Sequence, residues 1–186
     1  MQVGLILAAG SGSRMGRPKA TIEINGERLV DRAVSIFHEA GIKNVYVVLG
    51  AWQGSVPDAH VVNNPDWESG MGSSLITGLK SISENPENSE VVISLVDLPG
   101  MTAAAIRKIS EAPQEIVVGQ FAGKPGHPVK FARKHWQPII ESTSGDAGAR
   151  NYLKWRDDVF LIELRDLATG NDVDTQADLD SFSGQI

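Results

Sequence analysis

The 186-residue chain contains no cysteine. Disulfides, thiolate zinc sites and cysteine nucleophiles are therefore excluded, and the absence fits a reducing cytoplasm. Aromatic residues make up only 6% of the chain. Its four tryptophans, Trp52, Trp67, Trp136 and Trp155, share no common stripe, so they read as packing residues rather than a base-stacking platform. The four histidines are scattered and no serine stands in a G-x-S-x-G setting, so nothing marks a hydrolytic nucleophile. No apolar run is long enough to cross a membrane, and the opening "MQVGLILAAG" lacks a basic flank, which argues against a signal peptide. Excess positive charge is also missing. The net charge of -6 argues against nucleic acid or an anionic membrane as partner.

What remains is globular in composition, 41% hydrophobic and 22% charged, and the length predicts one domain over residues 1–186. Five apolar, β-branched runs recur: "VGLIL", "VYVVL" (from Val45), "VVISLV" (from Val91), "EIVVG" (from Glu115) and "VFLIEL" (from Val159). They are continuous rather than alternating, as in strands buried on both faces. Helical patterns separate them. One carries the stripe Leu29, Ala33, Phe37 and Ala40 and stops at Gly41. Others carry Leu75, Leu79 and Ile82 behind a Ser73 or Ser74 cap, and Ile106 and Ile109 behind a Thr102 cap. A helix is expected from Asp146, one starts or restarts near Pro138, and another opens at Thr175 with Asp178 three residues on. This alternation predicts an α/β fold, a mostly parallel sheet with helices on both faces. Ligands in such sheets gather beyond the carboxyl ends of the strands.

Polar motifs stand at those ends. "LAAGSGSRMGRPKA" (Leu7 to Ala20) follows the first run. Gly10, Gly12 and Gly16 give G-x-G-x-x-x-G, one residue too long for a dinucleotide fingerprint, and Pro18 precedes Lys19 where a Walker loop would need Gly. The remaining reading is a triphosphate loop: backbone N–H groups cradle phosphate, with Arg14 and Lys19 neutralising it. Asp97 follows the third run directly, placed to hold Mg²⁺. Asp174 is a second candidate metal ligand, and in a strand Asp172 would share its face. Gly70, Gly72, Ser73 and Ser74 mark a helix start where a base or ribose can approach the backbone. Gly126, His127 and Pro128 read as a rigid turn before a strand. The segment from Gly145 to Gly148, with Arg150 nearby, could take an anion.

These blocks together resemble the nucleotidyltransferases of the nucleotide-diphospho-sugar transferase fold. "NPDWESGMGSSL", "LVDLPGM", "GHPVKF", "GDAGAR" and "DVDTQADL" are similar to the molybdenum cofactor nucleotidyltransferase group in the same order. The resemblance implies a three-layer Rossmann-like sheet and Mg²⁺-dependent transfer of a nucleoside monophosphate with release of pyrophosphate. It implies nucleotide contacts at Leu7, Ala8, Ala9, Gly10, Gly12, Ser13, Arg14, Lys19, Gly72, Ser73 and Ser74. Catalysis would rest on Lys19, Arg14 and Asp97, and the metal on Asp97 and Asp174. Acceptor contacts would come from Gly126, His127, Pro128, Asp146, Gly148 and Arg150. Ala9 is similar to cytidylyl-transferring members; guanylyl-transferring ones carry glycine there, which favours CTP over GTP. Leu98 stands where cytidylyl enzymes commonly carry Gln, which leaves the acceptor open. The reading expected is a cytoplasmic molybdopterin cytidylyltransferase whose product passes to a molybdoenzyme or its chaperone. Its rivals are a nucleotidyltransferase for a sugar phosphate or other phosphorylated alcohol, a GTP-using relative, and a non-catalytic module that delivers a nucleotide-linked cofactor.

Overall fold

The computed structural model describes residues 1–183. In chain order the strands are β1 (Gln2–Leu7), β2 (Glu23–Ile24), β3 (Glu27–Arg28), β4 (Val45–Leu49), β5 (His60–Asn63), β6 (Glu90–Leu95), β7 (Ile116–Phe121), β8 (Lys124–Ala132) and β9 (Phe160–Glu163). The helices are α1 (Leu29–Glu39), α2 (Met71–Ser83), α3 (Ala103–Ser110), α4 (Trp136–Ser142), α5 (Arg150–Leu153) and α6 (Gln176–Ser183). β2 and β3 form a small hairpin, and the other seven strands form one sheet in the order β5-β4-β1-β6-β8-β7-β9. All neighbours in that sheet pair in parallel except β8, which runs antiparallel to β6 and β7.

Alternate residues of each strand feed two cores, one on each face. Val3, Leu5 and Leu7 of β1 meet Leu75, Leu79 and Ile82 of α2 and Trp136 of α4. Ile6 and Ala8 point the other way, toward α1 and α3. Burying each such aliphatic side chain contributes about 1.5–3 kcal/mol. Gly4 lies under α1, where an added Cβ would come within 2.4 Å of the Phe37 ring. The α/β architecture expected from the apolar runs is therefore present, with helices on both faces. No helix among the described residues is long and apolar enough to cross a membrane.

Several local expectations need correction. The expected α1 stripe of Leu29, Ala33, Phe37 and Ala40 does pack into the core, but Val30, Val34 and Ile36 widen it. α2 begins at Met71, and neither Ser73 nor Ser74 caps it. Ser73 instead donates to the backbone oxygens of Gly70 and Asp66. No long helix starts at Asp146. A 3-10 turn (Gly145–Ala147) ends at Gly148 (φ 53, ψ -137), and α5 starts at Arg150. Residues 126–128 lie inside β8 rather than in a turn before it. They oppose the register shift between Val118 and Gln120, and a bulge is where a strand tolerates proline, which has no N–H to donate. Residues 170–174 are not a strand, so Asp172 gains no shared face with Asp174 and is exposed. Trp155 is 85% exposed rather than packed.

Candidate active site

At the top of the sheet β1 and β6 stop together, with Val96 N–H donating to Leu7 O at 3.1 Å. The glycine loop then turns back over them. Gly12 has φ 59, and a Cβ there would fall 2.1 Å from the Arg17 carbonyl oxygen. Only glycine permits this close return. It brings in a 3-10 turn (Lys19–Thr21), braced by Thr21 N–H and hydroxyl donating to Pro18 O at 2.9 and 2.8 Å. Lys19, the first residue of that turn, is thereby held over the end of β6.

Lys19 Nζ lies between two carboxylates. It donates to Asp97 Oδ2 at 2.6 Å and to Asp174 Oδ1. Asp174 Oδ2 in turn accepts from Arg14 at 2.9 Å. Asp174 arrives from far along the chain because two local devices fix it. Val173 N–H donates to the backbone oxygen of Asp97 at 2.9 Å. Thr175 and Asp178 then form the expected capping box at the start of α6, with reciprocal bonds of 2.8 and 3.2 Å.

The Lys19 and Asp97 side chains are only 16% and 17% exposed. Burial disfavours the charged lysine, but hydrogen bonds to Asp174 and Asp97 outweigh it and hold its pKa above the ordinary lysine value. The bond from Lys19 is the largest influence holding Asp174 below the usual carboxylate range. Asp97 Oδ1 is buried and has no hydrogen-bond partner. A buried carboxylate oxygen left unpaired is costly, so this atom has capacity for a ligand.

Two cavities adjoin here, sharing Leu7, Met71 and Leu95 as a common wall. The first, of about 320 Å³, is lined by Ala9, Gly10, Ser11, Lys19, Trp67 and Asp97, among others. The second, of about 290 Å³, is walled by Leu75, Ile93, Val118, Val129 and Phe131, with His127 and Arg150 as its polar side chains. His127 Nδ1 lies 3.3 Å from the Ile93 carbonyl oxygen. A carbonyl can only accept, so Nδ1 carries the proton, and in the neutral ring Nε2 is left as an acceptor. Burial is the main cause of a pKa below the ordinary histidine value, opposed by the Ile93 carbonyl and Asp97 and aided by Arg150.

The sequence-derived residues distribute unevenly. Leu7, Ala9, Gly10, Lys19, Ser74, Asp97 and Asp146 line the first cavity. Gly126, His127, Gly148 and Arg150 line the second. Ala8 is packed into the core and Pro128 is buried in β8. Gly12 shapes the loop, while Ser13 and Arg14 stand on its exposed rim. Ser73 and Ser74 both accept from Asn64 Nδ2, at 2.8 and 3.0 Å. Gly72 admits the chain's own 143–145 segment, since a Cβ there would lie 2.6 Å from Gly145 O. Asp146 Oδ1 accepts from Met71 N–H at 3.1 Å and so caps α2 from outside that helix. Sequence reasoning missed Ser11, Trp67 and Glu68 in the first cavity. Trp67 sits in the block "NNPDWESG", but a lone aromatic beside a turn gives no periodic signal.

Comparison with known proteins agrees with this fold. The model of the MobA-like NTP transferase domain matches residues 4–159. Nicotine blue oxidoreductase of Paenarthrobacter nicotinovorans is 34% identical over 191 residues, covering 92% of this chain and 91% of that protein. The purine catabolism protein PucB of Bacillus subtilis is 26% identical over 196 residues, covering 96% and 94%. Among solved structures, Rv0371c of Mycobacterium tuberculosis superposes with a TM-score of 0.84 at 24% identity, covering 98% of this chain and 97% of that one. Its manganese complex superposes at 0.78 and 23% identity, covering 100% and 99%. The glycine loop, its lysine, the strand-end aspartate and the family match converge on one conclusion: the chain belongs to the MobA-like NTP transferase family and is a nucleotidyltransferase.

Proposed function

We propose that the protein transfers a nucleoside monophosphate, CMP from CTP, onto the phosphate of a flat heterocyclic acceptor of the molybdopterin type, releasing pyrophosphate. The observation that carries this is Lys19 held between Asp97 and Asp174 at the mouth of the first cavity. In the proposed step an oxygen of the acceptor phosphate attacks the α-phosphorus. The bond from that phosphorus to the bridging oxygen of the β-phosphate breaks, and pyrophosphate leaves with the electron pair. The nucleophile is already anionic, so the chain needs no general base. It must align the two phosphates and neutralise their charge. The Gly10 to Gly12 backbone and Arg14 hold the triphosphate, and Lys19 follows the charge that builds on the α-phosphate.

The residues present fit a divalent metal. Two carboxylates, one with a buried unpaired oxygen, suit Mg²⁺, which takes one or two carboxylates and completes its shell with water and phosphate. Among the described residues no group of three or more acidic, histidine or cysteine side chains forms a fuller cage. Bound there, Mg²⁺ would supply charge neutralisation across the reacting phosphates. The manganese complex of Rv0371c is consistent with such a site in a protein of this fold.

The apolar second cavity bears on the acceptor. A sugar phosphate would strand its hydroxyls against Leu75, Ile93 and Phe131, whereas a flat ring buries its faces there. A ring N–H would donate to His127 Nε2. Ala9 supports CTP over GTP because its methyl narrows the first cavity. Pyrophosphate release tests the reading with CTP, GTP, ATP and UTP, each with and without molybdopterin. Release with CTP only when molybdopterin is present is the expected result. Release with GTP, or with hexose phosphates in place of molybdopterin, would overturn the assignment of base or acceptor, and no release with any pair would favour a delivery module.

A further inference from the structure

We infer that the Trp67 indole is the surface on which the nucleotide base stacks, which fixes the direction in which the nucleotide lies in the first cavity. This rests on the nucleotidyltransferase reading above and adds a residue to it. Lys19, Asp97 and Gly10 line this cavity and are its phosphate-binding groups in that reading. Trp67 lines the same cavity and is the large flat side chain among its walls. It is half-buried, so part of the indole is accessible.

The ring is also braced. A Cβ at Gly50 would come within 2.4 Å of Trp67 Cβ, 2.5 Å of its Cγ and 2.9 Å of Ala9 Cβ. The root of the Trp67 side chain is therefore packed close to Gly50 and Ala9, where β4 and β1 end. The turn that carries it (Trp67–Ser69) is pinned from both sides. Buried Asn64 accepts from Asp66 N–H at 3.0 Å and donates to Ser73 and Ser74 at the start of α2. Ser69 N–H and hydroxyl donate to Asp66 O at 3.0 and 2.7 Å. Such a platform is ordered before its ligand arrives, which reduces the entropy lost on binding. Stacking is tolerant of base identity, so Trp67 supplies affinity and direction, while the choice among bases lies with neighbours such as Ala9.

The test compares two probes, CTP and inorganic tripolyphosphate, measured by calorimetry on the unaltered chain and on Trp67→Ala and Trp67→Phe. Trp67→Ala is expected to weaken CTP roughly five- to a hundredfold and to leave tripolyphosphate unchanged. Trp67→Phe is expected to keep CTP within a few fold while abolishing the nucleotide-dependent quenching of tryptophan fluorescence. If Trp67→Ala binds CTP as the unaltered chain does, the inference fails and the nucleotidyltransferase reading stands. Equal loss of both probes would make Trp67 a structural residue and overturn the inference too. Failure of the unaltered chain to bind CTP or tripolyphosphate would remove the reading and the inference together.

Discussion

Lys19 places one ammonium group between two carboxylates that would otherwise repel each other, and in the proposed reaction it faces the incoming phosphate. Lys19→Ala is expected to reduce turnover roughly 10²–10³-fold, the scale of losing one well-placed charge-stabilising donor. The same substitution removes the ammonium between Asp97 and Asp174 and leaves Arg14 as the charged partner of Asp174, so divalent-cation affinity should rise. Steady-state kinetics and a Mn²⁺ titration on one preparation check both; a weaker cation site in the variant would contradict the arrangement. Asp97→Ala should abolish metal-dependent turnover while circular dichroism and the thermal transition show an intact fold.

The ion pairs also set a pH window. Asp174 has its pKa lowered in the fold, so its stabilisation is present above the unfolded value of about 3.9 and fades as pH falls through the lowered one. Lys19 is raised, so its contribution is present below about 10.4 and fades as pH rises beyond it. Between about pH 5 and 9 the cluster should contribute a constant amount. Asp174→Asn should shift the thermal midpoint across that whole range and flatten the acid-side slope. A variant whose midpoint tracks the unaltered chain at every pH would show that the pairs add nothing to stability. Asp97 was legible in the sequence because it stands directly past an apolar run, and Lys19 because it ends the glycine-rich loop that follows the first run. Asp174 was legible as an acidic residue after a short segment expected to be extended and through the family resemblance; no strand forms there, and the Thr175 capping box fixes it instead. Trp67 was not legible, since its role depends on Gly50 and Ala9, which reach it only through sheet pairing.

At the scale of elements, the site hangs on helix ends. Thr175→Ala removes one side of the capping box and should cost about 1 kcal/mol in chemical denaturation. It should also lower turnover, because Asp174 immediately precedes the cap. Asp146→Ala frees the Met71 N–H and should cost about 0.5–2 kcal/mol. Conservative Asp146→Asn should recover most of this, because an amide oxygen can still accept. No sequence signal announced that bond, since its partners are 75 residues apart. Sequence reading placed a cap at this helix correctly in kind but named Ser73 or Ser74. The serines are instead committed to Asn64 and to the preceding turn. Strand β5 was equally hidden: its sequence His60–Asn63 is short, mixed and largely exposed, as edge strands are.

Across the whole molecule, the sheet explains why six separated motifs act together. Apolar runs revealed five of the strands, β1, β4, β6, β7 and β9, but continuous hydrophobicity carries no information about direction. The reversal of β8 was therefore invisible, although it decides what meets Asp97. A strand running with its neighbours would bring its carboxyl end to this rim. β8 brings its amino end instead, so residues 126–128 open beside the close of β6.

That reversal has a consequence for grafting. The residues proposed to handle the triphosphate are nearly all in place by residue 97, with only Asp174 joining them from later in the chain. The stretch from about residue 120 to 155 supplies much of the apolar cavity, including both of its polar side chains. On the proposed reading the two parts are separable, and a graft of this stretch from a relative should carry the donor's acceptor preference into a host that keeps its own nucleotide-handling residues.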